Sequence, residues 1–88
     1  MLVPMTREEA YVVLGDIVRD VLDCDDAVLS DAAGPGSLPA WDSLAQVAIL
    51  AAAEVRFGIR IGAREAERIV SAGDLVDLVL GKTEAALA

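Results

Sequence analysis

The chain has 88 residues and a mass of 9.2 kDa, room for one compact domain and no second. It carries 15 acidic against 7 basic residues, a net charge of −8 with a pI near 4.2, which disfavours binding to phosphate backbones. With no histidine and one cysteine, Cys24, it lacks Ser-His and Cys-His nucleophile pairs, the usual zinc ligand sets and any internal disulfide.

The first element announces itself at Thr6-Arg-Glu-Glu9, the pattern of a capping box. Ala10, Leu14, Ile17, Val18, Val21 and Leu22 then recur at three- and four-residue spacing, with Asp16, Arg19, Asp20 and Asp23 on the other side. This spacing predicts an amphipathic helix over 6–23. Cys24 ends it and is expected to pack as a small hydrophobe, its thiol made unreactive by neighbouring aspartates.

From Cys24 to Trp41 the periodicity fails, and aspartate, serine, glycine and proline dominate. That composition predicts a loop, anchored by Val28 and Leu29. A loop this long inside a small domain usually has work to do. Asp42 is a good N-cap for a second helix that runs to Gly58. Between Leu44 and Phe57 only Gln46, Glu54 and Arg56 are polar, so this helix is apolar nearly all round. In a domain of this size such a helix presents one face to a partner.

Ile59-Arg-Ile61 reads as an extended hinge, followed by a short helix around Arg64 to Val70. Ser71 offers another cap ahead of Leu75, Leu78 and Val79, with Gly81 as the stop. The fold class is therefore all-α: a small four-helix bundle, three main helices plus a short third, with a long loop between the first and second. The whole of 1–88 is expected to form one domain with 1–5 and 82–88 as frayed termini. Its longest apolar run, Val47 to Ala53, falls far short of the ~20 residues of a membrane span. No leader pattern precedes Thr6, so a cytoplasmic location is expected.

Trp41-Asp-Ser-Leu44, then Val47, Leu50, Glu54, Phe57-Gly-Ile59 and Ile61, resembles the acyl carrier protein family. Glu65, Glu67, Ile69 and Ser71-x-Gly-Asp-Leu75 extend the likeness, which covers nearly the whole chain to about Leu80. The resemblance implies that Ser43 is esterified with 4′-phosphopantetheine from coenzyme A, the arm whose thiol then carries an acyl group as a thioester. It implies that Asp42 meets the modifying enzyme and that Leu44 flanks the site. The position suits an anion: Ser43 falls in the first helical turn, where backbone N–H groups are unpaired and the helix dipole is positive. A serine at a helix start is more often a cap, but Asp42 already fills that role here.

By the same resemblance the chain is a carrier and not an enzyme, with no catalytic or metal-ligating residues of its own. Its implied partners are a phosphopantetheinyl transferase, an acyl- or aminoacyl-loading enzyme and a downstream acyltransferase or synthase; no nucleic acid is among them, and a monomer is expected. Residues assigned to partner binding are Trp41, Ala45, Ala48 and Glu54, with Trp41 also read as the pin that fastens the loop to the bundle. Fatty-acid carriers bear acids along the second helix; here Ala45, Ala48, Val55 and Arg56 stand at those positions and only Glu54 remains. Residues 1–41 hold 8 acids and 2 bases, net −6, whereas 42–88 hold 7 and 5, net −2. The acidic field thus sits on the first helix and loop, which disfavours the ordinary fatty-acid synthase. The similarity of Trp41-Asp-Ser-Leu44 to stand-alone carriers implies a specialised, polyketide-like or related pathway. Arg56, Arg60, Arg64 and Arg68 are expected to be solvated and to pair with Glu65 or Glu67. The alternatives are a peptidyl or aminoacyl carrier of the same fold and an unmodified helical interaction module.

Overall fold

Four helices follow one another in the order α1 (Arg7–Leu22), α2 (Ser43–Phe57), α3 (Ala63–Glu67) and α4 (Ala72–Leu87). The computed structural model describes residues 5–24 and 29–87, and no strand occurs among them. Val28, Asp25 and Asp26 of the loop, residues 1–4 of the expected frayed start and Ala88 lie outside the described residues.

The start of α1 is the expected capping box. The Glu9 N–H donates to Thr6 Oγ1 at 3.1 Å and the Thr6 N–H to Glu9 Oε1 at 3.2 Å. At its other end Asp23 adopts a left-handed conformation (φ 52°) and the Cys24 N–H returns to the Arg19 carbonyl. That reversal turns Cys24 out to solvent, so the expected packing of its thiol is not what the chain does.

Ala10, Leu14, Ile17 and Val18 of α1 are buried against Ala45, Ile49 and Ala53 of α2 and Leu75, Val76 and Val79 of α4. Helix α1 packs on both, and spacing along each helix puts these side chains on one stripe. The third helix is a five-residue piece with no buried residue. It is held from outside: the Gly62 N–H donates to Glu65 Oε1 at 2.9 Å, and Lys82 Nζ stands 3.0 Å from Glu65 Oε2. Both contacts lower the Glu65 pKa. Lys82 can reach because α4 continues through Gly81 to Leu87, past the stop read from the sequence. Glycine in a helix costs only about 1 kcal/mol, less than the surrounding turns supply.

The loop before α2 is tied down in two places. Its Ala33 and Asp31 carbonyls accept the Ala72 and Gly73 N–H groups at 2.6 and 3.0 Å, completing the start of α4. The approach requires glycine on both sides: a Cβ on Gly34 would lie 2.7 Å from the Val70 carbonyl oxygen, and one on Gly73 2.9 Å from that of Asp31. The same α4 terminus has a side-chain cap, the Asp74 N–H donating to Ser71 Oγ at 3.2 Å. Further along the bundle surface, Asp31 receives the Tyr11 hydroxyl and the Arg7 guanidinium, and Arg7 also pairs with Asp77 at 2.6 Å. Tyr11 and Arg7 hold the Asp31 carboxyl below the usual carboxylate range. Tyr11, partly desolvated and bound to that carboxylate, is raised to about 12. Leu29 and Leu38 pack half-buried against the core, Leu29 thus serving as the anchor expected of it.

Candidate functional site

Helix α2 begins where the loop ends, and Asp42 makes the junction. Its backbone is extended (φ −94°, ψ −171°), and Oδ1 accepts the Ala45 N–H at 2.9 Å. The Gln46 N–H closes the first turn on the Asp42 carbonyl at 2.8 Å. Because the carboxylate fills the cap, the next residue is not needed for it. Ser43 is exposed, and its hydroxyl has no hydrogen-bond partner among the described residues. The backbone N–H groups of Ser43 and Leu44 are likewise without acceptors in the protein, as expected of a first helical turn. An exposed hydroxyl beside two free amide donors at the positive end of a helix is a place where an esterified phosphate is stabilised.

The junction is held rigidly from behind. Trp41, 2% exposed, fills the core beneath it, and its indole N–H donates to Gln46 Oε1 at 2.6 Å. Gln46 Nε2 donates in turn to the Ile69 carbonyl at 3.0 Å. The relay links the loop, the first turn of α2 and the segment between α3 and α4. Beside Ser43 these parts enclose an open groove of about 790 Å³, lined by Pro35, Pro39, Trp41, Asp42, Gln46, Ile69 and Val70. Only Asp42 among these carries a charge.

The chain is similar to the solution NMR structure of the holo acyl carrier protein from Geobacter metallireducens, with a TM-score of 0.82 and 32% identity. The match covers 89% of this chain and 90% of that one. The chain belongs to the acyl carrier protein family. No family model and no curated protein matches it.

In this member of the acyl carrier protein family the surface of α2 departs from what the sequence suggests for several residues. Ala45 is 9% exposed and Trp41 is buried, so neither side chain can meet a partner directly. Ala45 faces inward because it lies one turn before the buried Ile49. Glu54 is half-buried and its Oε2 accepts the Ile61 N–H at 2.9 Å, fastening the hinge after α2 and withdrawing the carboxylate from the outward face. Ala48 is exposed, as is Leu44 at 82%. Together with Val47, Ala51 and Val55 they form an apolar stripe that starts beside Ser43. The sequence pattern already marked Leu44, Val47, Ala48 and Val55 but not Ala51, whose spacing of three residues from Ala48 and four from Val55 was the available signal.

The arginines also sort differently. Glu65 pairs with Lys82, and Arg68 acts on it only through space. Among the described residues Arg56, Arg60 and Arg64 form no ion pair. The described residues contain no cluster of groups that could hold a metal ion, and none of their helices is long and apolar enough to cross a membrane.

Proposed function

We propose that the chain is a carrier protein that holds acyl groups as thioesters on a 4′-phosphopantetheine arm esterified to Ser43. One observation carries the assignment: Ser43 is exposed in the first turn of α2 with its hydroxyl unengaged, because Asp42 does the capping. The likeness to a holo acyl carrier protein supports the nature of the arm. Ser43 has no neighbouring base, so a phosphopantetheinyl transferase supplies it. The serine oxygen forms a new bond to phosphorus, adenosine 3′,5′-bisphosphate leaves with its electron pair, and the transferase takes the hydroxyl proton. The free N–H groups of Ser43 and Leu44 stabilise the resulting phosphodiester, and the groove over Pro35, Pro39 and Val70 receives the uncharged part of the arm. The bound arm supplies the thiol on which acyl groups travel.

The apolar α2 stripe supports a specialised, polyketide-like pathway over ordinary fatty-acid synthesis, since docking here rests on aliphatic surface and not on a row of carboxylates. The test is mass spectrometry of the chain incubated with coenzyme A and a broad-specificity phosphopantetheinyl transferase. The wild type gains the mass of one arm on Ser43, and Ser43→Ala gains none while keeping its melting temperature. Resistance of the wild type would leave an unmodified interaction module as the better reading.

A further inference from the structure

The groove beside Ser43 is walled on two sides and closed below. Its walls are the loop at Pro35 and Pro39 and the segment at Ile69 and Val70, and the bond from the Ala72 N–H to the Ala33 carbonyl ties the two together. At about 790 Å³ it falls within the roughly 300–1,000 Å³ that houses a small molecule. Trp41, the largest of the buried side chains, lies at its base and shares one core cluster with Ala45, Ile49 and Ile69. Gln46 seals the seam between this base and the core, because both ends of its amide are engaged. Oε1 accepts the indole N–H at 2.6 Å and Nε2 donates to the Ile69 carbonyl at 3.0 Å. A chain passing from Ser43 into the core must displace the indole from a close-packed interior and part both bonds, leaving half-buried polar groups unpaired. Helix α3, with no buried residue, adds no apolar wall to receive such a chain.

Resting on the reading of Ser43 as the attachment residue, we infer that Trp41 limits the length of the cargo by closing the bundle to it. Acyl groups of a few carbons lie in the outer groove against Pro35, Pro39 and Val70, and their thioester stays open to water and to incoming reagents. A short group finds apolar contact on this surface without breaking any bond of the fold. A long alkyl chain overruns the groove, and its remainder stays in water at a cost that grows with every methylene. The substrate class is therefore short acyl groups, and long fatty acyl groups are the ones this carrier shelters least.

The test loads the apo chain with acetyl-, butyryl-, octanoyl- and decanoyl-phosphopantetheine from the matching coenzyme A thioesters, using a broad-specificity phosphopantetheinyl transferase. In the wild type Tm should vary by less than about 2 °C across the series. Trp41, the only tryptophan, should keep its emission maximum throughout. Hydroxylamine should cleave all four thioesters at rates within about two-fold of one another, since none needs an opening of the fold. Trp41→Leu leaves a void under the groove, so its decanoyl form should melt about 5 °C above its acetyl form and react with hydroxylamine about five-fold more slowly. Should that variant fail to fold, Gln46→Ala, which opens the seam and keeps the indole, takes its place with the same expectation. A wild-type Tm that climbs with chain length beside a protected thioester overturns the inference while the attachment reading stands. A folded variant with no dependence on chain length does the same. A wild-type chain that gains no arm refutes both.

Discussion

Trp41→Phe deletes a single donor from the junction that presents Ser43. The ring stays in the core, but Gln46 Oε1 loses the indole N–H that now lies 2.6 Å away. Leaving a half-buried carbonyl without a donor costs about 1–3 kcal/mol. The smaller ring adds a void worth about 1 kcal/mol. A loss of about 2–4 kcal/mol is large for 88 residues, whose total stability is on the order of 4–13 kcal/mol at the usual value per residue. Gln46→Leu breaks the same bond from the other side and also frees the Ile69 carbonyl. Since both variants remove one shared bond, their combination should be more stable than the sum of the two by about 1 kcal/mol. Urea denaturation followed by far-ultraviolet circular dichroism is the assay, because Trp41 is the only tryptophan and cannot serve as a fluorophore in its own absence. The equivalent shift in Tm is about 4–8 °C for each kcal/mol. Losses that add to within ~0.3 kcal/mol would mean the bond contributes nothing and that the junction is held by packing alone.

Asp42→Ala should cost about 1 kcal/mol through loss of the Ala45 cap, and Asp42→Asn should restore most of it; a melting curve beside the modification assay separates this role from any contact with the transferase. Asp31 has a folded pKa below its unfolded one, so its tether stabilises the chain above the ordinary carboxylate value, about 4, and the gain disappears as pH falls through the folded pKa. Asp31→Asn should accordingly flatten the acid side of stability plotted against pH, and an unchanged slope would contradict the assignment. Docking of the transferase should weaken only modestly between low and high salt, since apolar burial is not screened, and Ala48→Glu should weaken it further. Tighter binding by that variant, measured by titration calorimetry, would contradict an apolar face.

The starts of α1, α2 and α4 and the stop of α2 were legible because each depends on neighbours in the chain, whereas Gly81 does not stop α4. Thr6 and Glu9, Asp42 and Ala45, and Gly58 after Phe57 act within four residues of one another. The position of Ser43 was legible for the same reason. What the sequence hid depends on residues distant in the chain. Nothing in the loop's composition says that Ala33 and Asp31 will accept from Ala72 and Gly73, or that Asp31 will gather Tyr11 and Arg7. Glu54 looked like an outward acid by its helix position, yet a backbone N–H seven residues on claimed it. Lys82 seemed part of a loose tail until Glu65, brought near by α3, gave it a partner.

The loop carbonyls that complete the start of α4 also bear on how the chain folds. Helix α4 cannot satisfy its first amides by itself; their acceptors lie far upstream, across α2 and α3. Closing that long span has an entropic cost that must be met before the bonds form, so it belongs to the late stage of assembly. A peptide cut to the length of α4 should therefore be weakly helical in its opening turn. In the intact chain the amide protons of Ala72 and Gly73 should exchange with solvent only when loop and helix part, which makes them natural reporters of the event that also releases the platform under Ser43.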